Sequence, residues 1–433
     1  MKKLIALFFG ILTVLSLVAC AADEAPAVTT EPRKDYSKYA GIVEDPKTWY
    51  DELMALPIAN ENMTEEELRQ LCVDAFRINM TFPWTPTKDI YNTFTLLEKT
   101  YESTLPAGIA YSGLLYNSGA AAGNVWKVLS YYDKETGAVD IDAMEGNHIS
   151  VLSSACAYGA HQAWNRVSNS SNLRGMDSYK LGQSDIVLVG SYTSAPSNYS
   201  FMAGDGTLQV IADNGEQVMC ESYANTKPAD GLYSSSAWHV MMCSATPEVV
   251  RFPDGTIDAA NSYMLVCEQR ADGTKSDELN YQQGNGKIMR PLGTVDRKYT
   301  FQWLMEHGYL PFTLKEFTGE DPIEPGKAWM GSQTQELENG SDMTAEELFT
   351  KQVYTNYALC TVEIQVKNPD GQVLLSYDAG LMTAPVDYYK SISSAYQPER
   401  LAPYADGKNT VHIYTRLANG ELLEAFHTIL KMQ

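Results

Sequence analysis

The sequence predicts an α+β protein: a mostly helical N-terminal part leading into an antiparallel sheet, then a smaller all-β, sandwich-like module. Three observations carry this. Asp185-Ile186-Val187-Leu188-Val189-Gly190 reads as a buried strand, with turn pairs recurring at Asn214-Gly215, Asp254-Gly255 and Asp272-Gly273 between strand-like stretches. Helix signals dominate from about 36 to 165 and return once, in a helix capped at Thr300 and stopped at Gly308. Near the C-terminus, Val362, Ile364 and Val366, and again Val411, Ile413, Thr415 and Leu417, alternate with polar partners in the period of a half-buried strand.

At the N-terminus, Lys2 and Lys3 precede an apolar run from Leu4 to Ala19, which ends in Leu17-Val18-Ala19-Cys20. The run is too short for a stable span of about 20 residues and has the flanks of an export signal. A signal peptide over 1–19 and a flexible tether over 20–35, rich in Ala, Pro, Thr and Glu, are expected. Cleavage near Ala22 with a soluble product is the plain alternative to a leader ending at Ala19.

About 410 of the 433 residues would remain, enough for more than one core, and 27 tyrosines supply ample aromatic surface. Without Lys2 and Lys3 there are 54 acidic against 30 basic residues. That balance argues against nucleic acid or anionic lipid as a partner, and no zinc-type Cys/His spacing stands against it.

Six cysteines follow Cys20, scattered rather than spaced as a disulfide scaffold. Cys72 falls on the apolar face Leu68, Leu71, Cys72, Ala75, Phe76 of a helix opened by a Thr64–Glu67 capping box. Cys243 and Cys267 fall on neighbouring strands, free to pair across them or to be buried. Cys156 differs, because Ser153-Ser154-Ala155 reads as a polar cap before a helix running through Trp164 to Val167. A thiol in that first turn feels the positive end of the helix dipole, which favours thiolate.

A nucleophilic thiol needs a base. His239 begins the strand-like run Trp238-His239-Val240-Met241-Met242-Cys243 after the loop Lys227-Pro228-Ala229-Asp230-Gly231, where an imidazole at the mouth of a sheet can meet a cysteine on a packed helix. His161 lies five residues beyond Cys156, about 140° round the helix, and faces elsewhere. His148 is in a polar loop and His307 at a helix C-terminus, while His412 and His427 read as exposed strand residues. The strand Ser262 to Gln269 ends in Glu268 and Gln269; since neighbours face opposite ways, one of the two can hold the imidazole.

The end of the leader resembles the bacterial lipoprotein box, which implies cleavage before Cys20 and a lipid on its thiol. The later pattern resembles the papain-like cysteine peptidases of bacterial cell walls, of the NlpC type and the cysteine, histidine-dependent amidohydrolase/peptidase (CHAP) type. Gly108-Ile109-Ala110-Tyr111-Ser112-Gly113 is similar to the Gly-x-Pro-Tyr segment before the nucleophile, Pro228-Ala229-Asp230 to a Pro-Gly-Asp turn, and His239-Val240 to the His-Val strand. Glu268-Gln269 resembles the strand end of the second type. The likeness covers about 100 to 270. It departs at Ala155-Cys156-Ala157-Tyr158, which stands for Asp-Cys-Ser-Gly, and at Ala110 and Ala229.

The resemblance, which does not include the C-terminal module read from its strand alternation over 333–433, implies a papain-like domain within 36–332 and hydrolysis of amide bonds in peptidoglycan stem peptides outside the cytoplasm. Cys156 would attack, His239 would carry the proton, Glu268 or Gln269 would orient the ring, and the Cys156 amide with Tyr111 would hold the oxyanion. No metal or organic cofactor is called for, and the membrane would be met only through the lipid. Two other classes remain: a non-catalytic envelope binding lipoprotein on the same fold, and a carboxylate-based glycan hydrolase using Asp140, Asp142 and Glu145.

Overall fold

A computed structural model describes residues 45–96, 98–119, 123–170, 185–193, 206–270, 281–282, 288–380, 382 and 387–432. The expected leader, Cys20, the tether and the Asp272-Gly273 turn lie outside these residues. The described chain is α+β, built from several small sheets. None of its helices is long and apolar enough to cross a membrane.

The first part opens with helices α1 (Pro46–Ala55) and α2 (Glu65–Thr81). The Thr64–Glu67 capping box forms as expected, and Cys72 is fully buried on the apolar face of α2. Beyond α2 the chain is not mainly helical. Strands β1 (Pro83–Pro86), β2 (Ile90–Leu96), β3 (Lys99–Leu105), β4 (Ala110–Ser112), β5 (Leu115–Tyr116), β6 (Ala138–Val139) and β7 (Ser153–Ser154) intervene before helix α3 (Cys156–Trp164). The period of two in Ile90-Tyr91-Asn92-Thr93-Phe94 buries alternate side chains in the β2–β3 hairpin and marks it as a strand.

After β8 (Ile186–Leu188), helices α4 (Gly206–Asn214) and α5 (Glu216–Ala224) occupy the stretch on either side of Asn214-Gly215. The pair therefore joins two helices rather than two strands, and Gly215, at φ +80°, supplies the left-handed residue between them. Strands β9 (Gly231–Ser234), β10 (His239–Cys243) and β11 (Tyr263–Gln269) then form consecutive antiparallel partners. Past β12 (Tyr281–Gln282) and β13 (Ile288–Pro291) come β14 (Gly293–Thr300), helix α6 (Phe301–Glu306), capped by Thr300, and β15 (Leu310–Leu314). The principal sheet runs β14-β11-β10-β9-β15-β8, with every pairing antiparallel.

Both faces of this sheet are covered, which explains why β10 after His239 is continuously apolar rather than alternating. Val240, Met242 and Cys267 face α2 and α3, in a core with Phe76, Ala160 and Trp164. Met241, Cys243 and Val266 face α4, α5 and α6. Cys243 and Cys267 therefore point to opposite faces, and the six cysteines beyond Cys20 are all free and buried. Gly159 lets α3 approach closely: a Cβ there would stand 3.3 Å from both Gln269 Cβ and Phe76.

The Pro228-Ala229-Asp230 turn does structural work. Asp230 accepts from Arg69 at 2.6 Å, and both side chains are almost completely buried. The same guanidinium donates to the Pro228 carbonyl and to Thr313 on β15. Ala229, with φ +70°, takes the left-handed conformation for which glycine is suited, and its carbonyl accepts from Trp164 of α3.

The C-terminal part contains β16 (Ala328–Gly331), helix α7 (Ala345–Phe349), β17 (Gln352–Thr355), β18 (Leu359–Lys367), β19 (Val373–Asp378), β20 (Tyr389–Ser391), β21 (Thr410–Leu417) and β22 (Leu422–Ile429). Sheets β16-β17-β20 and β19-β18-β21-β22 share one core, in which Met330 and Val353 of the first meet Val362, Ile364, Val411 and Ile413 of the second. β16 belongs to this module, so it begins before residue 333. It is not an outlying bead: Ala358, Cys360 and Ala418 are buried in the core that holds Trp84 and Trp126 of the first part.

Replacing Asp230 with Ala leaves the Arg69 guanidinium buried without its carboxylate. It is expected to cost about 3–5 kcal/mol, measured by denaturant unfolding.

Candidate active site

Helix α3 starts on Cys156 itself. Its N-cap is Ala155, extended at φ −118° and without a capping side chain, so the expected polar cap is not there. Ser153 and Ser154 instead form β7, paired in parallel with β5, with Tyr116 opposite Ser154. An uncapped N-terminus leaves its first-turn amides for other acceptors. The Cys156 sulfur takes one of them, Ala157 N–H, together with Val240 N–H from β10 and a hydrogen bond with His239.

His239 opens β10 as expected, although β9 stands between it and the Pro228-Ala229-Asp230 turn. Its Nε2 lies 2.7 Å from Glu268 Oε2, which leaves Nδ1 as the nitrogen for the sulfur. The choice between the two strand-end residues is thereby resolved for Glu268. Gln269 faces the other side of the sheet, where its amide donates to the Leu114 carbonyl at 2.7 Å, and it does not orient the imidazole.

Glu268 has no exposed side-chain surface, yet it is surrounded by groups that favour its charge. Tyr299 donates to Oε1 at 2.7 Å, and Arg270 and Arg297 each stand 3.5 Å from the same oxygen. Burial alone would raise its pKa; the two arginines and His239 outweigh that and hold it well below the usual carboxylate range. Arg270 also donates to the Tyr299 hydroxyl at 2.7 Å.

Burial disfavours the imidazolium, but the hydrogen bonds to Cys156 and Glu268 prevail and raise His239 to about 9. Burial likewise opposes the Cys156 thiolate, and here the imidazole and the two amides win, so the thiol titrates below its ordinary value. The two directions agree on one state, a thiolate–imidazolium pair. Cys72, Cys243, Cys267 and Cys360, buried without such partners, are shifted upward instead.

Tyr111 is not at this site as expected. It lies on β4, 2% exposed, with its ring 5.2 Å from that of Trp84 in the core of the first part. The tyrosine beside the sulfur is Tyr116, whose hydroxyl hydrogen-bonds to Cys156; burial first, then the adjacent sulfur's charge, pushes its pKa up strongly. Sequence reasoning missed Tyr116, Arg270, Arg297 and Tyr299. Arg297 and Tyr299, two apart on a strand, carried a usable signal, since such residues share a face.

The other candidates lie apart from this constellation. His161 pairs with the Ser170 carbonyl, and His307 with the Trp303 carbonyl while stacking on the Trp303 ring at 4.0 Å. Asp140 accepts from the Asp142 and Ala143 amides, and Asp142 bridges to Lys88 with both side chains largely exposed. These acids and Glu145, at φ +48°, form a solvated turn rather than a pair facing across a cleft. No family model, curated protein or solved structure matches the chain.

Alkylation of Cys156 by iodoacetamide is expected to remain fast below neutral pH in the parent. With His239→Ala, its midpoint should rise to or above the ordinary thiol value of about 8.5. In Glu268→Gln the imidazolium loses its carboxylate, so the alkaline limb near 9 should move to lower pH. Tyr116→Phe should slow alkylation at pH 6 about tenfold by removing one hydrogen bond to the thiolate, whereas Tyr111→Phe should leave it unchanged.

Proposed function

We propose that the protein is a cysteine hydrolase of amide bonds, with a papain-like arrangement of helix-borne thiol, strand-borne imidazole and orienting carboxylate. The observation that carries this reading is the continuous chain from Cys156 through His239 to Glu268. In it the imidazole and two backbone amides favour the thiolate of Cys156, and the ring is fixed at its far nitrogen.

Cys156 Sγ attacks the carbonyl carbon, forming the S–C bond and placing negative charge on the carbonyl oxygen. The Cys156 amide at the helix start can stabilise that oxyanion, and the Tyr116 hydroxyl is placed to donate to it or to the sulfur. The imidazolium of His239 gives its proton to the departing nitrogen as the C–N bond breaks, leaving a thioester and the free amine. Water then adds to the thioester, neutral His239 takes its proton, and the acid product leaves with Cys156 restored. Glu268 keeps its charge throughout and stabilises the imidazolium.

As substrate we propose the stem peptides of peptidoglycan, met outside the cytoplasm by a chain held through a lipid on Cys20, with the sandwich-like module as a binding or spacing element. Support comes from the leader, the acidic balance and the motifs around Cys156 and His239. The chain lacking residues 1–20, incubated with purified peptidoglycan, should release peptide fragments detectable by mass. Cys156→Ala should reduce the rate at least about a thousandfold. Equal release from both forms would refute the cysteine mechanism, and release from neither would refute the substrate.

A further inference from the structure

The C-terminal module carries a second grouping of chemistry-bearing side chains. His412 on β21 and His427 on β22 are directly opposite in register, with ring centroids 5.3 Å apart. Glu424 stands three residues before His427, a spacing that would normally put the two on opposite faces. A β-bulge changes that. Ile413 pairs with Phe426 and Tyr414 with Glu424, so Ala425 is the extra residue and Glu424 turns to the face of the histidines.

The result is convergent. His412 Nδ1 and His427 Nδ1 both contact the Glu424 carboxylate, one at each oxygen, the second at 3.0 Å. One ligand atom from each of the three residues lies within 4.8 Å of the others, and among the described residues this is the one such grouping. The far side of the His412 ring is also fixed, with Nε2 2.7 Å from Thr410 Oγ1. When that hydroxyl accepts from Nε2–H, the Nδ1 lone pair is directed at the shared point, as the outer partner of a metal-bound histidine does. Asn339 holds the backbone amide of His427 at 3.0 Å, and the three side chains keep between 16% and 38% of their surface.

We propose that His412, Glu424 and His427 form a zinc-binding site on the solvent face of the module, with three protein ligands and a fourth position open to water or an external ligand. Two imidazoles and one carboxylate are the donor set of zinc sites with an open position. Tetrahedral bonds of about 2.1 Å place ligand atoms about 3.4 Å apart, so the side chains need only close slightly around the ion. Bound zinc would clamp β21 to β22 across the bulge. This inference is independent of the hydrolase reading, since none of its residues belongs to the Cys156 constellation.

The test is equilibrium dialysis of the full chain in mild detergent against Zn2+ at pH 7.5, in a Cys156→Ala background so that the thiolate binds no metal. One equivalent should bind, and His427→Gln and Glu424→Gln should each weaken it at least about tenfold. Binding should also fall between pH 7.5 and 5.5 as protons compete for the imidazoles. Circular dichroism in metal-free buffer verifies the fold of each variant; Glu424→Gln, at an exposed position, is the one to use if a histidine variant unfolds. Unchanged binding in a folded variant, or no binding at millimolar free Zn2+, would overturn the proposal.

Discussion

A negative charge with no access to water, on Glu268, is the constraint from which the arrangement around Cys156 follows. A carboxylate there would be expelled or protonated unless the protein surrounded it with cations and donors. His239 of β10, Arg297 and Tyr299 of β14, and Arg270 just past the end of β11 do so. That shell fixes His239 at one nitrogen, the fixed ring meets the sulfur with the other, and the sulfur is held by two amides on different elements. Every link depends on the sheet register that places Met242 opposite Cys267 and Tyr263 opposite Thr300.

Much of this was legible in the sequence because the signals were local. The Thr64–Glu67 capping box, the Thr300 cap and the alternations in β18 and β21 need only a few neighbouring residues to be read, and all stand where expected. Cys156 at a helix start, His239 at a strand start and Glu268 at a strand end belong to the same category. Asn214-Gly215 misled because a left-handed glycine serves a helix junction as well as a hairpin.

The rest depended on contacts between distant segments. Nothing near Tyr116 says that its strand will pair in parallel with Ser153-Ser154, so the tyrosine beside the sulfur was assigned five residues too early. The arginine shell of Glu268 likewise exists only once β11 and β14 are paired. The extra residue at Ala425 is recorded only in the register of β22 against β21, and so the meeting of Glu424 with two histidines was invisible when each strand was read alone.

The shared core between the C-terminal module and the first part has a mechanical consequence. Arg416 of β21 lies 4.9 Å over the ring of Trp126, Tyr388 donates to the Asn169 carbonyl at 2.9 Å, and Ala418 is buried against the first part's apolar residues. Such contacts remove the hinge that a spacer on a string would have. The solvent face of the module therefore stands at a set distance and angle from Cys156, as two marks stand on a gauge, and the spacing between them is a property of the fold.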